Sequence, residues 1–261
     1  MSKQNPRHKA PKMPFSFRKH ILPPMVGIFI MLLVFAALNS ELIVAEVRYR
    51  LNKRHPVANL VVPAQASPTA VLPKPDPSKP SSITIPAINV NAPVTFEPSV
   101  AEWKIQVDLR SGVVHYGPTA DPGQNGTVVI VGHSSGLAWA PGDYKWIFTL
   151  LNKLKPGDQI QISYQGINYV YQVTDSIVIA PTDMSVLNQT KTPTLSLVTC
   201  TPVGTSKSRL VVHAKQISPN PIKAEAKPAP KVSTNNIKTL PGGSDHSTSF
   251  WGGVGHWFKS L

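Results

Sequence analysis

Cys200, the one cysteine in the 261-residue chain, is the residue from which a reaction would start. It follows the run Leu195-Ser196-Leu197-Val198-Thr199 and precedes Thr201-Pro202. Proline does not continue a central strand, so the sulfur is expected at a strand end, where side chains face a loop or cleft. A thiol placed there can attack a carbonyl once something supplies thiolate. The competing fate of a lone cysteine is to serve as a small buried hydrophobe. With one cysteine, neither an intramolecular disulfide nor an all-cysteine metal site can form.

A cysteine nucleophile needs a histidine to handle protons. Of eight histidines, His8 and His20 lie in the basic N-terminal stretch, His55 in a proline-rich segment, and His246 and His256 near the C-terminus. His115, His133 and His213 remain. His133 follows Thr127 to Val131 and Gly132, so it too is expected at a strand end, beside Ser134-Ser135-Gly136. His213 falls inside a strand pattern and belongs on a wall. His115, in Gly112-Val113-Val114-His115-Tyr116, competes with His133, or is a structural histidine near the site. The third need is a positive donor for an oxyanion. Arg209 opens the strand directly after the short Thr201 to Ser208 loop. Adjacent antiparallel strands would bring Cys200 and Arg209 face to face across the hairpin mouth. An arginine is always charged and gives paired hydrogen bonds. Spacing alone also leaves room for a surface arginine.

These residues need a scaffold of strands. Ile83-Thr84-Ile85 starts an all-β region that runs to about Ile217. Thr127 to Val131 is a short apolar run bounded by glycines, as a buried strand should be. Gln159 to Tyr164 alternates, giving one buried and one wet face. After the Gln165-Gly166 turn, Tyr169 to Val173 continues through Ile177-Val178-Ile179. Leu195 to Thr199 and Arg209 to Ala214 are two more strands. Several short strands separated by turn signals suggest a barrel or sandwich. One short helix is expected at Trp146 to Leu154, ending at Lys155-Pro156-Gly157.

The flanks differ in composition. Residues 1–20 carry six Lys/Arg and no acid, and Ile21 to Leu38 has no charge. That run, extended to residue 45, reads as a single membrane-spanning helix with a cytoplasmic N-terminus and everything beyond it outside. No convincing small-x-small site marks it as a cleaved signal peptide. Residues 46–80 form a linker, with seven prolines between His55 and Pro80, and read as a semi-rigid spacer. Residues 218–261 read as a disordered Pro/Lys-rich tail ending in aromatics. The net charge of +13 divides as +9 over residues 1–80, +1 over 81–217 and +3 over 218–261. The folded part is nearly neutral, which argues against nucleic acid as partner. The basic flanks suit a membrane surface.

Three segments together resemble the sortase family. Gly112-Val113-Val114-His115-Tyr116, followed by Gly126 to Gly132 and His133, resembles its histidine segment. Leu197-Val198-Thr199-Cys200-Thr201-Pro202 resembles its L-x-T-C motif, and Arg209-Leu210-Val211-Val212 its arginine strand. Order, spacing and strand context agree over residues 81–217. Two departures concern subclass and substrate preference. Ser134-Ser135-Gly136 stands where many members have arginine after the histidine, and Leu137 to Lys145 looks like a longer loop. The subclass stays open, with a D- or E-like one in view.

The resemblance implies a closed eight-stranded barrel with one or two short helices, and a cysteine transpeptidase with some peptidase-like hydrolysis. Cys200 would attack the threonine carbonyl of an L-P-x-T-G-like signal at the C-terminus of a protein substrate. Arg209 would hold the oxyanion, and His133 would protonate the leaving glycine amine. An amine from a cell-wall (peptidoglycan) precursor or a pilin lysine would then take the acyl group. No metal or organic cofactor is implied. Thr199, beside the nucleophile, would help position substrate. A hydrolytic cysteine peptidase on the same fold and a non-catalytic surface adaptor are the alternatives.

Overall fold

The computed structural model describes residues 22–38, 40–52, 74–97, 99–136, 140–220 and 239–241. The chain divides into two units, Met1–Ile43 and Val44–Leu261. In the first, α1 spans Leu22–Leu38, an uncharged run of 17 residues whose prolines fall in its first turn, where the missing N–H costs nothing. A second helix, α2 (Ser40–Asn52), carries Glu46, Arg48 and Arg50 in its sequence. The single span expected over residues 21–45 covers α1 and the start of α2; Asn39, between them, lies outside the described residues. Spanning a bilayer core takes about 20 apolar residues. Among the described residues, no helix is long and apolar enough to cross a membrane.

The second unit is built from strands that turn one face into a shared apolar interior. They are β1 (Ser82–Ile85), β2 (Val90–Glu97), β3 (Val113–Tyr116), β4 (Gly126–Val131), β5 (Gln159–Tyr164), β6 (Ile167–Ile179), β7 (Pro193–Thr201) and β8 (Ser208–Ser218). They close in the order β1-β2-β3-β4-β7-β8-β6-β5, with β5 returning to β1. The β2–β3 and β4–β7 pairs are parallel and the others antiparallel. Closure leaves no sheet edge with unpaired backbone groups. The eight-stranded barrel expected from the sequence is the fold observed.

Six of these strands follow from local pattern. β2 does not announce itself, because Asn91 and Pro93 interrupt it. Both are exposed, while Val90, Ala92 and Val94 are buried on the other face. β3 is only four residues long and fully buried. The helix expected at Trp146 to Leu154 is instead a series of turns with one 3-10 turn at Leu151–Lys153. A short helix absent from the expectation, α3 (Glu102–Asp108), lies between β2 and β3.

Two cores result. Val128 and Ile130 of β4, Leu195 and Leu197 of β7, and Leu210 and Val212 of β8 fill the barrel interior. Their neighbours Val129, Val131, Val198 and Val211 point outward into a second cluster. That cluster is covered by Ile105 and Leu109 from α3 and its end, by Val186 and Leu187 from a 3-10 turn, and by Leu240. Covered on both faces, β4 reads as a continuous apolar run, the pattern of a strand with no wet side.

The flanking expectations fall largely outside the described residues. Of the linker, residues 53–73 lie outside them, and Asp76 N–H donates to Gln165 O at 2.9 Å. Of the tail, residues 221–238 and 242–261 lie outside them, whereas Leu240 is 1% exposed.

Candidate active site

Side chains alternate along a strand, so the outward direction of Val198 sets that of Cys200, two residues on. Val211 does the same for Arg209 on β8. In the β7–β8 register Cys200 stands directly opposite Arg209. The hairpin inferred from the short loop is therefore the one observed, with thiol and guanidinium on the same outer face.

His133 lies two residues beyond β4. Gly132 N–H donates to Val198 O at 3.1 Å, which continues the β4–β7 ladder past the strand end. Phe148 N–H donates to His133 O at 2.9 Å from the other side. A Cβ on Gly132 would stand 2.5 Å from the Phe148 ring, so only glycine lets that ring close over the turn. Gly204 N–H donates to Ser135 Oγ at 2.9 Å, tying the β7–β8 loop to the histidine segment.

Cys200 and His133 line one cleft of about 730 Å³, together with Ser134, Arg110, Lys145 and Trp146. Ser134 Oγ is buried, with no hydrogen-bond partner among the described residues. Arg209 is 2% exposed. Its Nη1 donates to Ser206 O at 3.0 Å and to Ser208 O at 3.3 Å, and its Nη2 donates to Leu240 O at 3.1 Å. Its Nε is buried with no acceptor among the described residues. Three carbonyls thus hold the fork while the buried Nε–H has no acceptor among the described residues, a costly arrangement unless something takes that bond during use.

Burial pushes the Cys200 thiol above its ordinary range; the Arg209 charge pulls it back and Glu102 adds to the rise. Burial also pushes His133 below the ordinary histidine value. Both shifts favour neutral partners at rest, thiol and imidazole, so the reactive thiolate–imidazolium pair is a minor form.

Thr199 faces the opposite side of β7 from Cys200. It alternates with Cys200, is 2% exposed, and its Oγ1 donates to Gly132 O at 2.7 Å. Its hydroxyl thus holds the turn that carries His133. His115 is 3% exposed and stacks on Phe96 at 4.7 Å. Its Nε2 lies 2.9 Å from Ala120 O, and a carbonyl only accepts, so Nε2 carries the proton. This is a core histidine. His213 Nδ1 pairs with Ser196 Oγ at 3.0 Å, on a wall as expected. Leu240, Ser134, Arg110, Lys145 and Trp146 were not anticipated. A local signal existed for Leu240 alone, an apolar residue beside proline in a polar tail. Among the described residues, no group of three or more His, Cys, Asp or Glu could hold a metal ion.

A family model described as Sortase domain matches residues 83–217. The chain is similar to Sortase D of Bacillus subtilis (strain 168), 27% identical over 150 residues that cover 56% of this chain and 68% of that protein. It is also similar to Sortase SrtE1 of Streptomyces coelicolor, 33% identical over 107 residues that cover 38% of this chain and 30% of that protein. Among solved structures, sortase C1 of Streptococcus agalactiae matches at 31% identity and a TM-score of 0.44, covering 52% of this chain and 66% of that one. The likeness thus spans under two thirds of sortase C1 and less than a third of SrtE1.

Proposed function

The chain belongs to the sortase family of cysteine transpeptidases, and on that premise we propose that Cys200, His133 and Arg209 cleave an L-P-x-T-G-like sorting signal and pass the acyl group to an amine. The observation that carries the reading is the register itself. Cys200 faces Arg209 across β7 and β8, and His133 shares the cleft with the thiol.

The chemistry follows from the resting charges. The thiol proton passes to His133, forming the minor thiolate–imidazolium pair. Sγ attacks the threonine carbonyl carbon, and the oxygen becomes an oxyanion. Arg209 Nε–H, buried and without an acceptor, is the donor held ready for it. Collapse breaks the Thr–Gly C–N bond, and His133 gives its proton to the departing amine. A thioester remains on Cys200. An incoming amine attacks it, His133 takes the amine proton, and the thiolate leaves. The acceptor is a cell-wall precursor amine or a pilin lysine. Residues 21–45 anchor the enzyme in one pass with the N-terminus in the cytoplasm. The support for that is the sequence, six basic residues ahead of an uncharged run.

The test uses the purified full chain with an L-P-x-T-G peptide and triglycine, followed by mass spectrometry. The expected products are a thioacyl adduct on Cys200 and a ligated peptide, both lost in Cys200→Ala. Adduct with hydrolysis alone would reduce the reading to a peptidase. Absence of any adduct across a panel of signals would favour a non-catalytic adaptor.

A further inference from the structure

Leu240 lies well past the end of β8, yet it is packed among the side chains of the outer core. Its side chain joins Ile105, Leu109, Val186 and Leu187, with Ile179 and Met184 packed against the same cluster. Both of its backbone groups are bonded. Leu240 N–H donates to Pro181 O at 2.7 Å, and Leu240 O accepts from Arg209 Nη2 at 3.1 Å. Pro181 belongs to the connection between β6 and β7, so the segment is clasped between that connection and the arginine assigned to catalysis.

We propose that Thr239-Leu240-Pro241 is an intramolecular pseudosubstrate, seated in the groove that receives the leucine of an incoming signal and displaced by it. The proposal rests on the transpeptidase reading above. Its further support is the sequence of the segment. Leu240-Pro241-Gly242-Gly243-Ser244 opens with the Leu-Pro pair of the proposed signal. It then has glycine where the signal has threonine, and serine where the signal has its leaving glycine. The tail thus matches the docking half of the signal and lacks the scissile half.

Tethering makes such a contact effective. A segment held on the same chain has an effective concentration on the order of mM. An interaction too weak to matter in trans then fills the groove in cis. A substrate peptide must outcompete it, which raises the apparent KM and leaves the chemical step alone. A plain structural strap predicts the opposite. Loosening it would unsettle Arg209 and lower kcat.

The full chain tests this in two ways. In Leu240→Asp, KM for an L-P-x-T-G peptide should fall about tenfold. A synthetic peptide of residues 238–245 should then inhibit that variant competitively. Leu240→Ala should show a smaller fall of the same sign. Unchanged or raised KM in both variants would overturn the proposal. Second, hydrogen exchange at the Leu240 amide in Cys200→Ala should be slow and should speed up when the L-P-x-T-G peptide is added. Protection that saturating peptide leaves intact would overturn it as well. If no signal peptide is turned over by any form, the transpeptidase reading is what fails. The groove assignment is then decided by titrating the 238–245 peptide into Leu240→Asp, where saturable binding supports it and absence of binding refutes it.

Discussion

Replacing Arg209 by lysine keeps the charge and removes the fork. At rest the guanidinium donates to the carbonyls of Ser206, Ser208 and Leu240 at 3.0, 3.3 and 3.1 Å, and its buried Nε–H has no acceptor among the described residues. A lysine ammonium is a single point. Once drawn to those carbonyls it has no second, directed N–H for the oxyanion. Loss of one oxyanion donor costs about 2.7–4 kcal/mol in the transition state, a fall of about 10²–10³ in kcat. Loss of part of the carbonyl cage costs stability too, about 1–3 kcal/mol for a charged bond at a buried place. That is survivable against the usual 5–15 kcal/mol, and a melting curve shows whether the variant is folded. The assay is the rate of thioacyl formation on Cys200 in a single turnover, read by mass spectrometry beside the rate of iodoacetamide capture. The nearby charge persists, so alkylation should change little while acylation collapses. Acylation within about threefold of wild type would remove Arg209 from the oxyanion role. An equal loss in both rates would make it a thiolate stabiliser instead.

Further consequences follow from the same geometry. Alkylation of Cys200 by iodoacetamide needs only thiolate, and burial raises the thiol pKa. Its rate should therefore climb to a midpoint above the ordinary thiol value of about 8.5; a midpoint well below that would contradict the neutral resting pair. Gly132→Ala drives a methyl against the Phe148 ring, and His133 shifts with the turn. Turnover should fall at least about tenfold with stability down by about 1–3 kcal/mol; an unaffected enzyme would show that the turn has slack. His115 is buried and its pKa is lowered. The unfolded chain takes up that proton first as pH falls, so this contribution is fully present above the unfolded value of about 6.5 and declines below it. His133 adds in the same direction. Urea unfolding should show stability dropping between pH 7 and 5 by up to about 1.4 kcal/mol per unit for each histidine; flat stability over that range would mean the imidazoles take protons without loss of packing.

Much of this molecule is legible from its residues. Period-two alternation marks Gln159–Tyr164 and the strands around Cys200 and Arg209, and a short loop between two strands leaves little choice but a hairpin. The facing pair of thiol and guanidinium follows from those two local facts. The same rule places Thr199 on the opposite face from Cys200, so its inward hydroxyl was there to be read. Other features carry no local signal. β2 is broken by Asn91 and Pro93 and becomes a strand through pairing with β1 and β3.

Alternation and loop length therefore determined the all-β class, the strand carrying Cys200 and the residue opposite it, because each is a property of neighbours in the chain, whereas the closed barrel came from the family resemblance. Only the tertiary structure decided that His133 and not His115 shares the cleft with Cys200, that a second core covers the outer face, and that Leu240 clasps Arg209. Each of these joins segments tens of residues apart. Packing between distant surfaces selects such contacts, and no period along one segment encodes them.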